Sequence, residues 1–469
     1  MGSTERSKTV KDFQVAIVGG GVCGLVCAIA LTRAGVPVEL FEAAPKFGEI
    51  GAGIGVAGLN ADFLITGPNA VRVLRAIGIL QEVLAKSSEN DLKMRGCKFI
   101  SGMEGHDLIY DYPTLPEDIG IGIHRAAFLD ALVGVADPAM SHFNKRCTSI
   151  TTSDNDRLLV HFADGTTHET DIVLGADGIK SNVRNSVIGD IGNRIAFSNT
   201  VAYRGLVPDA TLKAAGVKTD LSDRPVCFVG QDKASQRISY KYRHLILFPI
   251  RNGEIVCGSS SYHNRSKRSH QTPVKINIVA FTANHHIPIG SESLPDGTPW
   301  VERASQEELL KEYEGWGSDV PALLGCIQAP SKWSIHVVYP PLETYVRGRI
   351  ALLGDAAHGM LPHLGAGAGQ GLEDALLLSR LLSHPETKIS NIEAVLQVYD
   401  NIRRPRSQMV WKGSDAAGEL YDGCGKHGLD FEGIRQDLQD RWTPVWRHDL
   451  DGDFEAAIKR LRELEVFTP

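Results

Sequence analysis

Residues 15–24 read Val-Ala-Ile-Val-Gly-Gly-Gly-Val-Cys-Gly and place Gly19, Gly21 and Gly24 at the spacing of a phosphate-binding turn. A β-branched apolar run leads into them and a stretch with helical apolar spacing follows. That strand–turn–helix context lifts the motif above chance. In it Gly19 permits the tight turn, Gly21 lets backbone N–H groups approach a pyrophosphate, and Gly24 lets helix pack on strand. The helix start adds partial positive charge where phosphates would lie. A second strand, Val36 to Phe41, ends at Glu42, about 20 residues past the glycines, where a carboxylate accepts hydrogen bonds from ribose hydroxyls. A surface glutamate after a strand is the alternative.

This unit alone does not separate FAD from NAD. The glycines of Glu49-Ile-Gly-Ala-Gly-Ile would let the chain run close beside a cofactor. Arg125 falls in the first turn of a predicted helix, where the dipole favours anions. It makes sense there if a phosphate or a polar cofactor chain is its neighbour; a solvated arginine is the alternative. Leu174-Gly-Ala-Asp-Gly-Ile-Lys-Ser-Asn-Val-Arg184 and Leu353-Gly-Asp-Ala-Ala-His358 add two further glycine-centred motifs. Gly365-Ala-Gly-Ala-Gly then opens a helix-like stretch, a site for an electron-rich ring edge and its negative charge on reduction. Three such motifs in this order describe FAD held by one domain built from distant parts of the chain.

The elements that must position these residues need more than one core, since 469 residues predict two or three domains. The chain is 43% hydrophobic and 22% charged with a net charge of −7, which gives no general electrostatic reason to bind nucleic acid or anionic membrane. No apolar run is long enough for a membrane span, and the polar start lacks a signal core, so a cytoplasmic location is expected. The eight cysteines form no CxxC pair and join no histidines at metal-ligand spacing, so no metal is expected. Cys23 and Cys27, four apart, invite a redox-disulfide reading, although small buried thiols also suit close helix packing.

Together these stretches resemble the single-component flavoprotein aromatic hydroxylases, most of all the salicylate hydroxylase branch, from about Gln14 to about Leu450. Phe41-Glu-Ala-Ala-Pro, Gly67-Pro-Asn-Ala-Val-Arg72, Ala202-Tyr-Arg-Gly205, Met360-Leu-Pro-His-Leu-Gly-Ala-Gly-Ala-Gly-Gln-Gly-Leu-Glu-Asp-Ala375 and Arg403-Arg-Pro-Arg406 also carry it. The resemblance implies that Asp355 binds the ribityl chain, that Gly367 and Ala368 approach the isoalloxazine, and that Glu42 holds the adenosine ribose. Ala52, Gly53 and Arg125 would line the polar arm, and Asp177 would serve FAD and NAD(P)H. It further implies a flavin C4a-hydroperoxide that hydroxylates a phenolic substrate using O2 and NADH or NADPH. A salicylate-type acid is expected, with CO2 loss when the attacked carbon carries the carboxylate. A secondary-metabolite enzyme acting on a larger polyketide phenol is the alternative. Residues 57–66 and 256–275 interrupt motifs that run nearly unbroken in relatives, as surface loops or as insertions of a faulty gene model.

For the pocket, Arg204 lies among apolar strand residues, and a guanidinium suits a carboxylate or phenolate bidentately. His244 and His336 are candidates to deprotonate the phenol. A surface arginine and two structural histidines are the alternatives. Phe248 leaves an apolar wall where dearomatising relatives tend to carry tyrosine. The expected fold is α/β: a Rossmann-like FAD-binding domain (12–195 and 340–405), an antiparallel β-sheet substrate domain (196–339), and a helical C-terminal segment (406–469). Trp411, Trp442 and Trp446 of that segment could anchor a homodimer or pack in the core. With no second GxGxxG after a strand, NAD(P)H would visit transiently.

Overall fold

The computed structural model describes residues 11–48, 63–86, 94, 96–189, 192–230, 241–251, 254–255 and 274–468. Ala52 and Gly53, and of the two interrupting stretches residues 57–62 and 256–273, lie outside them, whereas Phe63–Thr66 forms a strand paired antiparallel with Ile121–His124.

The strand Val15–Val18 is buried on both faces, as its continuous apolar run requires. It pairs in parallel with Ile172–Gly175 on one side and Val38–Phe41 on the other. Ile350–Leu352 adds in parallel beyond Ile172–Gly175. Three motif-bearing strands far apart in sequence thus end side by side in one six-stranded sheet. The helices Val22–Arg33 and Gly367–Ser383 supply much of the apolar layer packed on it. A three-stranded antiparallel sheet, Cys147–Thr152, Leu158–Phe162 and Thr167–Thr170, immediately precedes the strand Ile172–Gly175 in sequence.

The second large sheet has nine strands, mostly antiparallel. Ile195–Pro208 runs between Ser331–Val338 and Lys275–Ala283, and Tyr242–Arg251 follows on the far side of the latter. One face packs on the helices Gln306–Glu312 and Asp319–Gly325 through Tyr203, Val207, Leu245, Leu309 and Leu323. The other face carries Ala202, Val279 and Phe281, with Phe248, Trp333 and Ile335 beside them. Lys98–Ser101 and Leu108–Asp111 also join this sheet, through a parallel pairing with Val226–Gly230. Residues 12–195 therefore feed both sheets: buried Phe99 and Ile100 find their apolar partners there. The tail does not begin at Arg406 either. One helix runs from Ile392 to Tyr421 with Pro405 inside it, and Trp411, Trp442 and Trp446 are all buried within the chain. Among the described residues no helix is long and apolar enough to cross a membrane.

Two carboxylates sit fully buried in the middle of Gly367–Ser383. Glu373 Oε2 accepts from Arg403 Nη1 at 2.7 Å and Glu373 Oε1 from Arg406 Nη2 at 3.1 Å and Asn69 Nδ2 at 2.7 Å. Asp374 accepts from Arg403 Nε at 2.8 Å, from the Gly354 N–H at 2.9 Å and from His358 Nε2 at 2.6 Å. Burial raises both carboxyl pKa values, but the facing cations outweigh it and hold both below the ordinary range. Replacing Arg403 by methionine removes the one cation that both carboxylates share and leaves them under-compensated, a loss of about 3–5 kcal/mol. The loss should be full at pH 7 and shrink as pH falls toward about 4, where the orphaned carboxylates take protons. Urea unfolding of wild type and Arg403→Met at pH 7 and pH 5 checks both points.

Candidate active site

The glycine turn is closed on one side and open on the other. A Cβ at Gly19 would lie 2.4 Å from the Ala176 carbonyl oxygen, and one at Gly24 would lie 1.9 Å from the Gly19 oxygen. Gly19 also needs its φ of +107°, which L side chains avoid. A Cβ at Gly21 would meet nothing within 4 Å. Gly21 precedes helix Val22–Arg33, which has no side-chain cap and no acidic residue in its first turn, leaving its N–H groups for an anion. Glu42 stands at the end of the neighbouring strand, its Oε2 accepting the Gly20 N–H and its Oε1 the Ala44 N–H, both at 2.7 Å. Those bonds fix the carboxylate beside the turn and leave lone pairs for ribose hydroxyls.

The second motif lies over this turn. Asp177 places its Cα 2.8 Å from where a Gly19 Cβ would be, but its carboxylate is occupied within its own loop. It accepts from Ser181 Oγ at 2.5 Å and from the Asn182 and Val183 N–H groups at 2.8 and 3.2 Å. Burial nevertheless raises its pKa above the ordinary value. Arg184, fully buried, joins this motif to the third: Nε donates to the Ala356 carbonyl at 2.7 Å and Nη2 to those of Ile179 and Asp355 at 2.9 and 3.1 Å.

Asp355 opens the short helix Asp355–His358 right after the strand Ile350–Leu352. Its carboxylate is exposed and has no hydrogen-bond partner among the described residues. Cys23 marks where the first motif, the third motif and helix Gly367–Ser383 meet: a Cβ at Gly354 or Gly371 would lie 2.9 or 2.2 Å from its Sγ. Burial, with Asp355 and Asp374 adding to it and Arg125 opposing, pushes the Cys23 thiol far up. Both Cys23 and Cys27 are free thiols, held protonated by burial, so they pack rather than react. Arg125, at the start of helix Arg125–Val133, is thus within electrostatic reach of the same cysteine as Asp355.

The loop from Gly359 to Ala366 is suspended from the long helix and the segment beyond it. Trp411 Nε1 donates to the Gly359 carbonyl and Trp442 Nε1 to that of Leu364, each at 3.2 Å. Ser414 Oγ donates to the Leu361 carbonyl at 2.6 Å and accepts the Leu364 N–H at 3.2 Å. Gly367 and Ala368 then begin helix Gly367–Ser383, again without a side-chain cap or first-turn acid. A Cβ at Gly365 would meet nothing within 4 Å, and one at Gly367 only Met360 at 3.6 Å. Open glycines at both ends, two uncapped helix starts, and the carboxylates of Glu42 and Asp355 between them suit a long dinucleotide with a ring at the Gly367 end. The residues present fit FAD.

The antiparallel sheet presents a face to this loop. Ala202, Phe281 and Trp333 stand in one cross-strand row, with Arg204 and Val279 in the next. Arg204, Ile246, Phe248, Trp333 and Ile335 are only half-buried, so this side of the sheet keeps space beside its aromatics. The Arg204 guanidinium lies over the Trp333 ring, 4.5 Å from its centroid. His336 does not share this face. It alternates with Trp333 and Ile335 along the strand and stacks on Trp300 at 3.8 Å, with Nδ1 bonded to the Ser334 carbonyl. Burial and Lys180 lower its pKa. Strand pleating therefore puts it on the face opposite Arg204 and Trp333, and the grouping of His336 with Arg204 in one pocket is corrected. His244 is in the right row, paired with Phe281, but is fully buried with Nδ1 at 2.7 Å from Asp422 Oδ1. A ring sealed in this way does not touch substrate, so His244 lies one layer behind the site.

Sequence reasoning missed Arg184, Asp374, Arg403 and Asp422 as organising residues. Their signal was present: Glu373-Asp374 interrupts the apolar run Leu372, Ala375, Leu376, Leu377, and charge inside a buried pattern calls for a partner. Gly21→Ala should fold with an unchanged melting temperature yet purify with less than about a tenth of the bound flavin, since its Cβ enters only cofactor space. Gly24→Ala should lose stability as well, because its Cβ meets backbone. Flavin absorbance at purification and thermal melts of the two variants separate these outcomes.

A family model described as an FAD binding domain matches residues 12–204 and 285–414. The chain is 39% identical over 461 residues to a salicylate hydroxylase of Pseudomonas putida, covering 96% of this chain and 95% of that one. It is 31% identical over 450 residues to the 6-methylsalicylate 1-monooxygenase atA of Aspergillus terreus, covering 93% and 88%. The FAD-dependent monooxygenase pigN of Monascus ruber is 31% identical over 470 residues, covering 95% and 96%. A solved salicylate hydroxylase substrate complex superposes with a TM-score of 0.78 at 31% identity, over 95% of this chain and 98% of that one. With the glycine turns and carboxylates arranged as described, these matches show that the chain belongs to the FAD-dependent aromatic hydroxylases, monooxygenases that include the salicylate hydroxylases.

Proposed function

We propose that this monooxygenase consumes NAD(P)H and O2 to hydroxylate a phenolic acid of the salicylate type, releasing CO2 when the attacked carbon carries the carboxylate. The observation that carries this reading is the Arg204 guanidinium lying over Trp333 on a half-buried aromatic face. A cation among apolar rings, next to a loop that fits a flavin, selects a small planar anion. The 6-methylsalicylate monooxygenase and salicylate hydroxylase relatives support the same substrate class.

Bound FAD, reduced by NAD(P)H, supplies the electrophilic oxygen derived from O2. This chain's residues do the rest. Arg204 holds the carboxylate and so fixes which ring carbon faces the flavin loop. Phe248, Phe281 and Trp333 clamp the ring faces and exclude water, which protects a reactive oxygen donor from wasteful decay. Asp355 and Glu42 anchor the cofactor at two points along its length, and the loop held by Trp411, Ser414 and Trp442 sets its ring against the sheet.

A panel of salicylate, 6-methylsalicylate and larger polyketide phenols separates this reading from an enzyme of larger phenols. NAD(P)H oxidation, O2 uptake and CO2 release are followed together. Salicylate-type acids should stimulate NAD(P)H oxidation with matching product; turnover of only the larger phenols would overturn the substrate class. Arg204→Ala should raise KM roughly 10- to 150-fold, the equivalent of losing a charge-assisted bond of about 1.5–3 kcal/mol. It should also uncouple NAD(P)H oxidation from product, whereas an unchanged and fully coupled variant would remove Arg204 from the site.

A further inference from the structure

A buried amide on the substrate face lacks a hydrogen-bond partner. Asn277 lies in the strand Lys275–Ala283, whose residues Ile276, Ile278 and Ala280 pack toward the helices Gln306–Glu312 and Asp319–Gly325. Pleating turns the residues between them, Asn277, Val279 and Phe281, to the other face. Val279 and Phe281 pack there with Phe248 and Trp333. Asn277 stands between Leu206 and Phe248, in the cross-strand row next to that of Arg204, Val279 and Ile246. It is 3% exposed, and its Oδ1 is buried with no hydrogen-bond partner among the described residues.

An unpaired buried amide is destabilising. A leucine would fill much the same space beside Leu206, Val279 and Phe248 without that cost. Asparagine at this position is explained by a ligand that supplies the missing hydrogen bond. An oxygen acceptor calls for a donor on that ligand, which a hydroxyl provides and a carboxylate or a methyl group does not.

We infer that Asn277 sets substrate specificity by accepting a hydrogen bond from a second hydroxyl of the aromatic acid, on the ring edge remote from its carboxylate. The inference rests on the salicylate-type reading and narrows it to salicylates that carry a further hydroxyl at carbon 4 or 5. Arg204 opposes Val279, two residues along the strand from Asn277, and diagonal cross-strand neighbours of this kind stand about 7–8 Å apart. The Arg204 guanidinium lies over Trp333, whose strand flanks Ile195–Pro208 on the side away from Asn277. A salicylate with its carboxylate on Arg204 keeps its own hydroxyl ortho to that group, on the arginine side of the ring. That oxygen does not reach a side chain one row farther on. A hydroxyl on the far carbons does, with the ring itself spanning the gap against Phe248 and Trp333. Two polar groups thus read the two ends of one flat molecule, and no bond is made or broken in the reading.

The test uses the FAD-loaded enzyme, wild type and Asn277→Leu, with salicylate and its 3-, 4-, 5- and 6-hydroxy derivatives. Kd is read from the change in flavin absorbance without NAD(P)H, and kcat/KM from product formed with NAD(P)H and O2. Wild type should prefer the 4- or 5-hydroxy acid to salicylate by about tenfold or more in both, because a site built to bond a hydroxyl rejects a molecule that lacks it. In Asn277→Leu the ratio between the two acids should fall close to one. The ligand-free variant should melt no lower than wild type, since an unsatisfied polar group has been removed. A lower melting temperature would reveal a structural bond to Asn277 and overturn the inference. So would a wild type that does not distinguish these acids, or a preference that survives in the variant. A wild type that binds none of them would instead overturn the salicylate-type reading, and the inference with it.

Discussion

The buried carboxylate of Asp374 is the constraint on which the active site depends. It sits near the middle of helix Gly367–Ser383 and binds the Gly354 N–H, His358 and Arg403 at once. Gly354 precedes Asp355, and Gly367 opens the same helix that carries Asp374. One ionised group therefore fixes the Asp355 segment relative to the helix that begins at Gly367. Such a group is tolerated only with full compensation, which is why Arg403, Arg406, Glu373, Asn69 and Gln370 close around it in one hydrogen-bonded network.

Close packing extends this control to the nucleotide turn. Cys23 leaves no room for a side chain at Gly354 or Gly371, so helix Val22–Arg33 and helix Gly367–Ser383 approach at near backbone distance. Arg184 binds the carbonyls of both the second and third motifs. The three glycine motifs are thus tied by specific bonds as well as by sharing a sheet. On the other side, indole N–H groups of Trp411 and Trp442 carry the loop between Gly359 and Ala366. The helix Ile392–Tyr421 and the segment beyond it thereby set where this loop lies against the antiparallel sheet.

Much of the nucleotide half was legible in sequence because its chemistry requires particular residue types at fixed offsets. Gly19 and Gly24 are glycine because backbone lies where a Cβ would go, and Glu42 ends the strand the turn predicts. The substrate half was less legible. Strand pleating sends His336 to the face opposite its neighbour Ile335 and opposite Trp333, and no local pattern fixes which face meets the cofactor. The role of His244 depends on Asp422, 178 residues away, a contact that no spacing announces. The boundary drawn at Arg406 falls inside a 30-residue helix that carries Pro405, because its buried positions continue across it from Arg403 through Arg406, Ser407 and Val410. The strands at 98–111 escaped the first domain because their pairing partner lies beyond residue 225.

A crystal structure of the FAD-loaded enzyme with salicylate tests the account most directly. It should place the isoalloxazine against Gly367 and Ala368, with the salicylate carboxylate on Arg204 and its ring between Phe248 and Trp333. Salicylate bound instead on the Trp300–His336 side of the sheet, or a flavin lying away from Asp355, would contradict it.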